Sequence, residues 1–170
     1  MHSKNSISKA ALFLAVALLF SSFKFSDWEF NKKYIAKIQK SISELFNSTS
    51  CNFEELKEFE EAFYAIKETS VILGYFVVAK TPSKFHEFDY YIMFNKKGMI
   101  LKVEVLQYRE NYGAEICNKR WLKKFLNIST SNFAQYNQRI DGISGATISV
   151  NSIKKDVFKL TNTLKESIAK

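Results

Sequence analysis

A chain of 170 residues is long enough for one ordinary domain with a short targeting segment in front of it. With 46% hydrophobic residues, sixteen Phe and eight Tyr, it can build a core, which excludes a globally disordered protein. One Pro and five Gly leave no material for a Pro/Gly-rich linker between two loose domains. The net charge of +8 admits nucleic acid or an anionic membrane as partner. The basic residues are scattered, however, and their densest cluster (Lys119, Arg120, Lys123, Lys124) falls on an expected helix, so a solvated helix face explains it and no nucleic-acid partner is expected.

Taken in chain order, residues 1–26 carry Lys4, Lys9 and Lys24 and no acid, and Ala10 to Phe20 is an unbroken apolar run. A basic start before an apolar stretch of about 7–15 residues is the pattern of a secretory signal, and the run is short of the ~20 residues of a spanning helix. Ser22 as the last residue before a cut would put Phe20 three positions back, a poor cleavage site, so an uncleaved N-terminal anchor stands beside a removed signal peptide. Either way the expectation is export to the extracytoplasmic side of a membrane, in the periplasm or cell envelope.

Residues 27–70 read as a helical lead-in. Tyr34, Ile35, Ile38, Ile42, Leu45 and Phe46 recur at helical spacing over 31–47, and the Glu-rich Phe53–Glu61 stretch suggests a further helical turn. The domain proper is expected over 71–170. Val71–Ala79 is β-branched and aromatic and bounded by Pro82, hence a strand. Phe88–Phe94 and Met99–Leu106 flank Asn95-Lys96-Lys97-Gly98, a hairpin turn. Residues 117–126 suit a helix with Trp121, Leu122 and Phe125 on one side. Val150, Ile153, Val157, Leu160, Leu164 and Ile168 form the apolar stripe of a C-terminal helix. Strands in a run with helices at the flanks predict a single α+β domain with a mostly antiparallel sheet.

Cys51 and Cys117 form no spacing signature, though an exported chain permits a disulfide. His2 and His86 stand alone, and His86 reads as a loop surface residue, so no metal site is expected. No acid/base pair stands out as catalytic.

The chemistry concentrates in Asp141-Gly142-Ile143-Ser144-Gly145-Ala146-Thr147-Ile148-Ser149, a hydroxyl-bearing turn leading onto a helix start. Free N–H groups and the positive end of the helix dipole suit a phosphate there. On local chemistry alone a plain capping turn, with Thr147 or Ser149 as N-cap, is the more economical reading. Lys154 and Lys155 fit a solvated face, with added positive field toward a phosphate as the alternative; Tyr108 and Tyr112 suit ring stacking or loop packing equally.

The pattern Asp-x-x-Ser-Gly-Ala-Thr at Asp141, Ser144, Gly145, Ala146 and Thr147 resembles the flavinylation motif of the FMN-binding domain family, which includes the C subunit of sodium-pumping NADH:quinone oxidoreductase and the G subunit of the Rnf complex. Two further places are similar. Gly74-Tyr75 opens a strand, and Glu110 and Gly113 fit a family loop reading Glu-Thr-Pro-Gly-Leu-Gly, from which Asn111, Tyr112 and Glu115 depart. The likeness spans about 71–168. It implies FMN joined by a phosphoester to Thr147, installed by a separate flavin transferase using FAD. Asp141, Ser144, Gly145 and Ala146 would be recognition and positioning residues, and Glu110 and Gly113 cofactor-binding. It further implies an electron carrier serving redox partners in a membrane electron-transfer system. An extracytoplasmic flavin-dependent reductase and a non-redox membrane-surface adaptor that keeps the fold are the alternatives.

Overall fold

The computed structural model describes residues 32–48, 50–128 and 132–169, and the expected signal or anchor segment, 1–26, lies outside them. The fold below is that of the unit Lys37–Lys170.

Five strands form one sheet in the order β1-β2-β3-β4-β5: β1 (Asn52–Leu56), β2 (Phe63–Glu68), β3 (Val71–Pro82), β4 (Glu87–Asn95) and β5 (Ile100–Gln107). Every neighbouring pair is antiparallel, so the expected α+β class is the one observed. The long helix of the N-terminal region, α1 (Lys32–Phe46), lies within a residue of its expected bounds. Its Ser41 hydroxyl meets that of Tyr91 on β4 at 2.8 Å. The C-terminal helix α4 (Thr147–Ile168) covers the opposite face, where Tyr90 donates to Asp156 at 2.7 Å. Adjacent residues of β4 thus reach opposite helices, as the period of two requires. With both faces covered, Phe88 and Tyr90 through Phe94 are all fully buried, which is why β4 reads as a continuous apolar run.

The larger core lies under α4. It joins Phe63, Tyr75, Val77, Phe88, Ile92 and Phe94 to Val150, Ile153, Val157, Leu160 and Leu164, the stripe expected from helical spacing. The β4–β5 hairpin closes at Asn95–Met99: Asn95 N–H donates to Met99 O at 2.9 Å, and Asn95 Oδ1 accepts from the N–H groups of Lys97 and Met99. Gly98 takes φ +71° there, the left-handed conformation that Gly adopts without a Cβ penalty.

Three expectations are corrected. The lead-in 27–70 is helical over Lys32–Phe46 but contributes β1 and β2 further on, and the Phe53–Glu61 stretch is a strand and turn rather than a helical turn. Pairing with β2 overrides the helix propensity of its Glu and Leu residues: Phe53 packs edge-on against Tyr64 and Phe76, and Glu54 pairs with Lys67. The helix expected at 117–126 is broken into a 3₁₀ turn (Ala114–Cys117), a single α-turn α2 (Lys119–Leu122) and a 3₁₀ turn (Lys123–Phe125). Trp121, Leu122 and Phe125 are nonetheless buried together, as expected. A short helix α3 (Phe133–Gln138), capped by the Asn132 side chain, was not foreseen. Cys51 and Cys117 are free thiols. Among the described residues no helix is long and apolar enough to cross a membrane, and no group of His, Cys, Asp or Glu is placed to hold a metal ion.

Candidate functional site

The site begins as a turn built to deliver a helix start. Ala146 N–H donates to Ile143 O at 3.1 Å, closing a four-residue turn in which Gly145 takes φ +78° at the position where such turns demand glycine. The residue before the helix is Ala146, and no side chain caps it. Neither Thr147 nor Ser149 is therefore the N-cap, which corrects the capping reading. The leading N–H groups of α4 have no intrahelical acceptor and no side-chain cap, and they carry the positive end of the dipole. Thr147 is the first helical residue and its side chain is exposed.

Two buried donors hold this turn from beneath. Lys154, two turns along α4, is 6% exposed and donates to Ile140 O at 2.6 Å. It is not the solvated lysine expected, and burial pulls its pKa below the ordinary lysine value, with Asp141 opposing. Trp121 Nε1 donates to Asp141 O at 3.0 Å. The Asp141 carboxylate points outward and pairs with Lys124, and that hydrogen bond, more than the charge, holds it below the usual carboxylate range. Lys155 is exposed, as expected.

The loop after β5 is fastened just as firmly. Arg109 donates to Glu87 O at 2.8 Å and pairs with the buried Asp89. Tyr108 packs edge-on against Phe88, and its hydroxyl lies 3.0 Å from the Oγ of buried Ser149. Gly113, at φ +75°, lies against the motif: a Cβ there would stand 2.5 Å from Ala146 Cβ. Gly113 thus lets the loop and the Ser144–Thr147 turn touch.

Between these two segments lies a cleft of about 420 Å³, walled by Tyr108, Glu110, Tyr112, Gly145, Ala146, Thr147, Ile148 and Ser149, with Lys84 and Phe85 on a third side. Its volume falls within the ~300–1,000 Å³ of small-molecule sites. Of the residues singled out from sequence, Thr147, Ala146, Gly145, Glu110, Tyr108 and Tyr112 wall the cleft. Gly113 supports it from behind, while Asp141 and Ser144 lie exposed on the approach to the helix and do not line it. Lys84 and Phe85 were missed, and Ile148 and Ser149 were read only as part of the hydroxyl-bearing turn and not as cleft walls. A Phe between Lys84 and His86 in a loop just after a Pro was the available signal. His86 is exposed, as expected of a loop surface residue.

The arrangement is that of a small-molecule binding domain with an anion-ready helix start facing an apolar-walled cleft. The sequence model of the FMN-binding domain family matches residues 86–161, from the start of β4 through most of α4 and so across the motif and the loop. Residues 86–161 are therefore similar to the FMN-binding domain family, and the match supports a flavin-binding protein with FMN as its cofactor. No curated protein matches the chain.

Proposed function

We propose that FMN is joined through its phosphate to the Thr147 hydroxyl, and that the protein serves as an exported, membrane-associated electron carrier. The observation that carries the attachment is the position of Thr147, an exposed hydroxyl on the first residue of a 22-residue helix and on the wall of the cleft. A phosphate esterified there sits beside uncapped N–H groups that favour its charge. The bond-making step balances with FAD as donor. A bond forms from Thr147 Oγ to the FMN phosphorus, the pyrophosphate bond breaks, AMP departs and the hydroxyl proton is released.

Bound flavin supplies one- and two-electron redox chemistry, and linkage through the phosphate leaves the ring unaltered. The protein's own groups hold and shield. The charged residues lining the cleft are Lys84 and Glu110, and Glu110 is occupied in binding backbone N–H groups. The Glu110 carboxylate is thus committed to the turn rather than to a substrate proton, which supports electron transfer over turnover. The basic start and the Ala10–Phe20 run support export, where a covalent tie prevents loss of a scarce cofactor.

Co-expressed with a flavin transferase and exported, the protein should show a fluorescent flavin band that survives a denaturing gel. Thr147→Val should abolish that band while changing stability by no more than about 0.5 kcal/mol, as for an exposed site. A fluorescent Thr147→Val band, or a colourless wild type under those conditions, would overturn the attachment.

A further inference from the structure

The cleft has a wall that the attachment motif does not supply. It is the turn Ser83–His86 between β3 and β4, of which Ser83, Lys84 and Phe85 precede the matched residues. We propose that this turn is the ring-binding wall of the flavin site, with Phe85 covering the isoalloxazine and Glu110 as its positioning residue. The inference rests on FMN being attached at Thr147.

Phe85 is 74% exposed, and it shares the cleft with Tyr112 at 81% and Ile148 at 49%. Three large apolar side chains held in water around one depression are what a flat aromatic ligand needs as walls and what an empty surface avoids. Thr147 stands on the same cleft, so a flavin anchored there would have these walls within reach of its ring.

Phe85 is not exposed for want of order. Ser83 is buried, its N–H donates to His86 O at 2.8 Å, and its hydroxyl donates toward the same oxygen at 2.7 Å. One carboxylate oxygen then fastens the turn. Glu110 Oε1 accepts from Phe85 N–H at 2.7 Å and His86 N–H at 3.1 Å, and it lies 2.5 Å from Ser83 Oγ. These bonds pin the backbone at Phe85 and on both sides of it while its side chain projects into the cleft. A turn pinned this way presents its aromatic without the ordering cost a floppy loop incurs on binding. Lys84 adds its ammonium 4.9 Å from the Phe85 ring centroid. Glu110 therefore acts on the ligand through the turn, which explains how it lines the cleft while its oxygen is engaged elsewhere.

The test uses the full chain, flavinylated by co-expression, with loading read from the denaturing gel, folding from circular-dichroism melts, and ring environment from flavin emission and anisotropy. Measured per attached flavin, whatever the loading, Phe85→Ala and Glu110→Ala should lower the flavin anisotropy about twofold, as the ring gains nanosecond motion. Glu110→Gln keeps an acceptor oxygen and should restore most of the wild-type value. Phe85→Trp should quench flavin emission severalfold by placing an indole against the ring. Loaded Phe85→Ala and Phe85→Trp proteins with wild-type anisotropy and emission would overturn the proposal; a loaded Glu110→Ala protein with wild-type anisotropy would overturn the positioning role. A wild type without attached flavin would show up on the gel alone, and would remove the attachment reading together with this one.

Discussion

Two glycines make the site's geometry, for different reasons. Gly145 sits at φ +78° with open space where a Cβ would go, whereas Gly113 sits at φ +75° with that space filled by Ala146. The left-handed conformation costs a non-glycine residue about 1–2 kcal/mol. Gly145→Ala should therefore destabilise by about 1 kcal/mol. Gly113→Ala should cost about 2 kcal/mol or more, because the loop must also back away from the motif. Urea unfolding of the two variants measures the difference. Flavin loading should suffer more at Gly113, where the cleft itself would open; equal losses at the two positions would mean that the contact with Ala146 carries no weight.

Among the elements, α4 is both the roof of the main core and the platform of the site, and Lys154 links these duties. Lys154→Met keeps the apolar stem but deletes the donor to Ile140 O, leaving a buried carbonyl without that partner. The expected cost is about 1–3 kcal/mol, with faster amide exchange across residues 142–147 than elsewhere in the domain; uniform exchange would show that the lysine does not hold the turn. That role was hidden in the sequence, because a lysine in Ser-Ile-Lys-Lys-Asp looks solvated until a carbonyl is found beside it. The helix stripe from Val150 to Leu164 and the β4–β5 hairpin were legible, since period and Asn/Gly turn chemistry act locally, whereas the Asp141–Thr147 turn stood out only through its resemblance to a family motif. β1 was not. Asn-Phe-Glu-Glu-Leu is a half-exposed strand in which Glu54 is exposed and Glu55 half-buried, and only its pairing with β2 makes it extended. The Phe85 wall was illegible for a like reason. It depends on Glu110, distant in sequence, reaching back across the β4–β5 hairpin to bind the turn.

At the scale of the whole molecule, a titrating carboxylate lies at each face of the sheet, Glu104 on β5 and Asp156 on α4, and their effects on stability oppose. Under α1, Glu104 is disfavoured as an anion by burial, but hydrogen bonds from Lys102 and Tyr91 outweigh this and leave its pKa below the ordinary value. Lys102 also donates to Ser41 at 2.7 Å, tying the strand to the helix. Under α4, burial raises the pKa of Asp156, and hydrogen bonds from Tyr90 and Thr81 offset it only in part. The signs follow from which state binds more protons. The stabilisation from Glu104 is present above its unfolded pKa of roughly 4.3 and is lost as pH falls through the lower folded value. Asp156 runs the other way: the folded state keeps its proton longer, so stability is lost as pH rises from roughly 3.9 through the higher folded value. Asp156→Asn can still accept from Tyr90 but cannot ionise. Its stability relative to wild type should therefore improve as pH rises from about 4 to about 7. Glu104→Gln should become relatively worse as pH rises from about 2 to about 5, since the wild type gains the ionised contact there and the variant does not. Urea unfolding of the three proteins across that range checks both, and curves that stay parallel to the wild type would show that neither carboxylate is linked to folding.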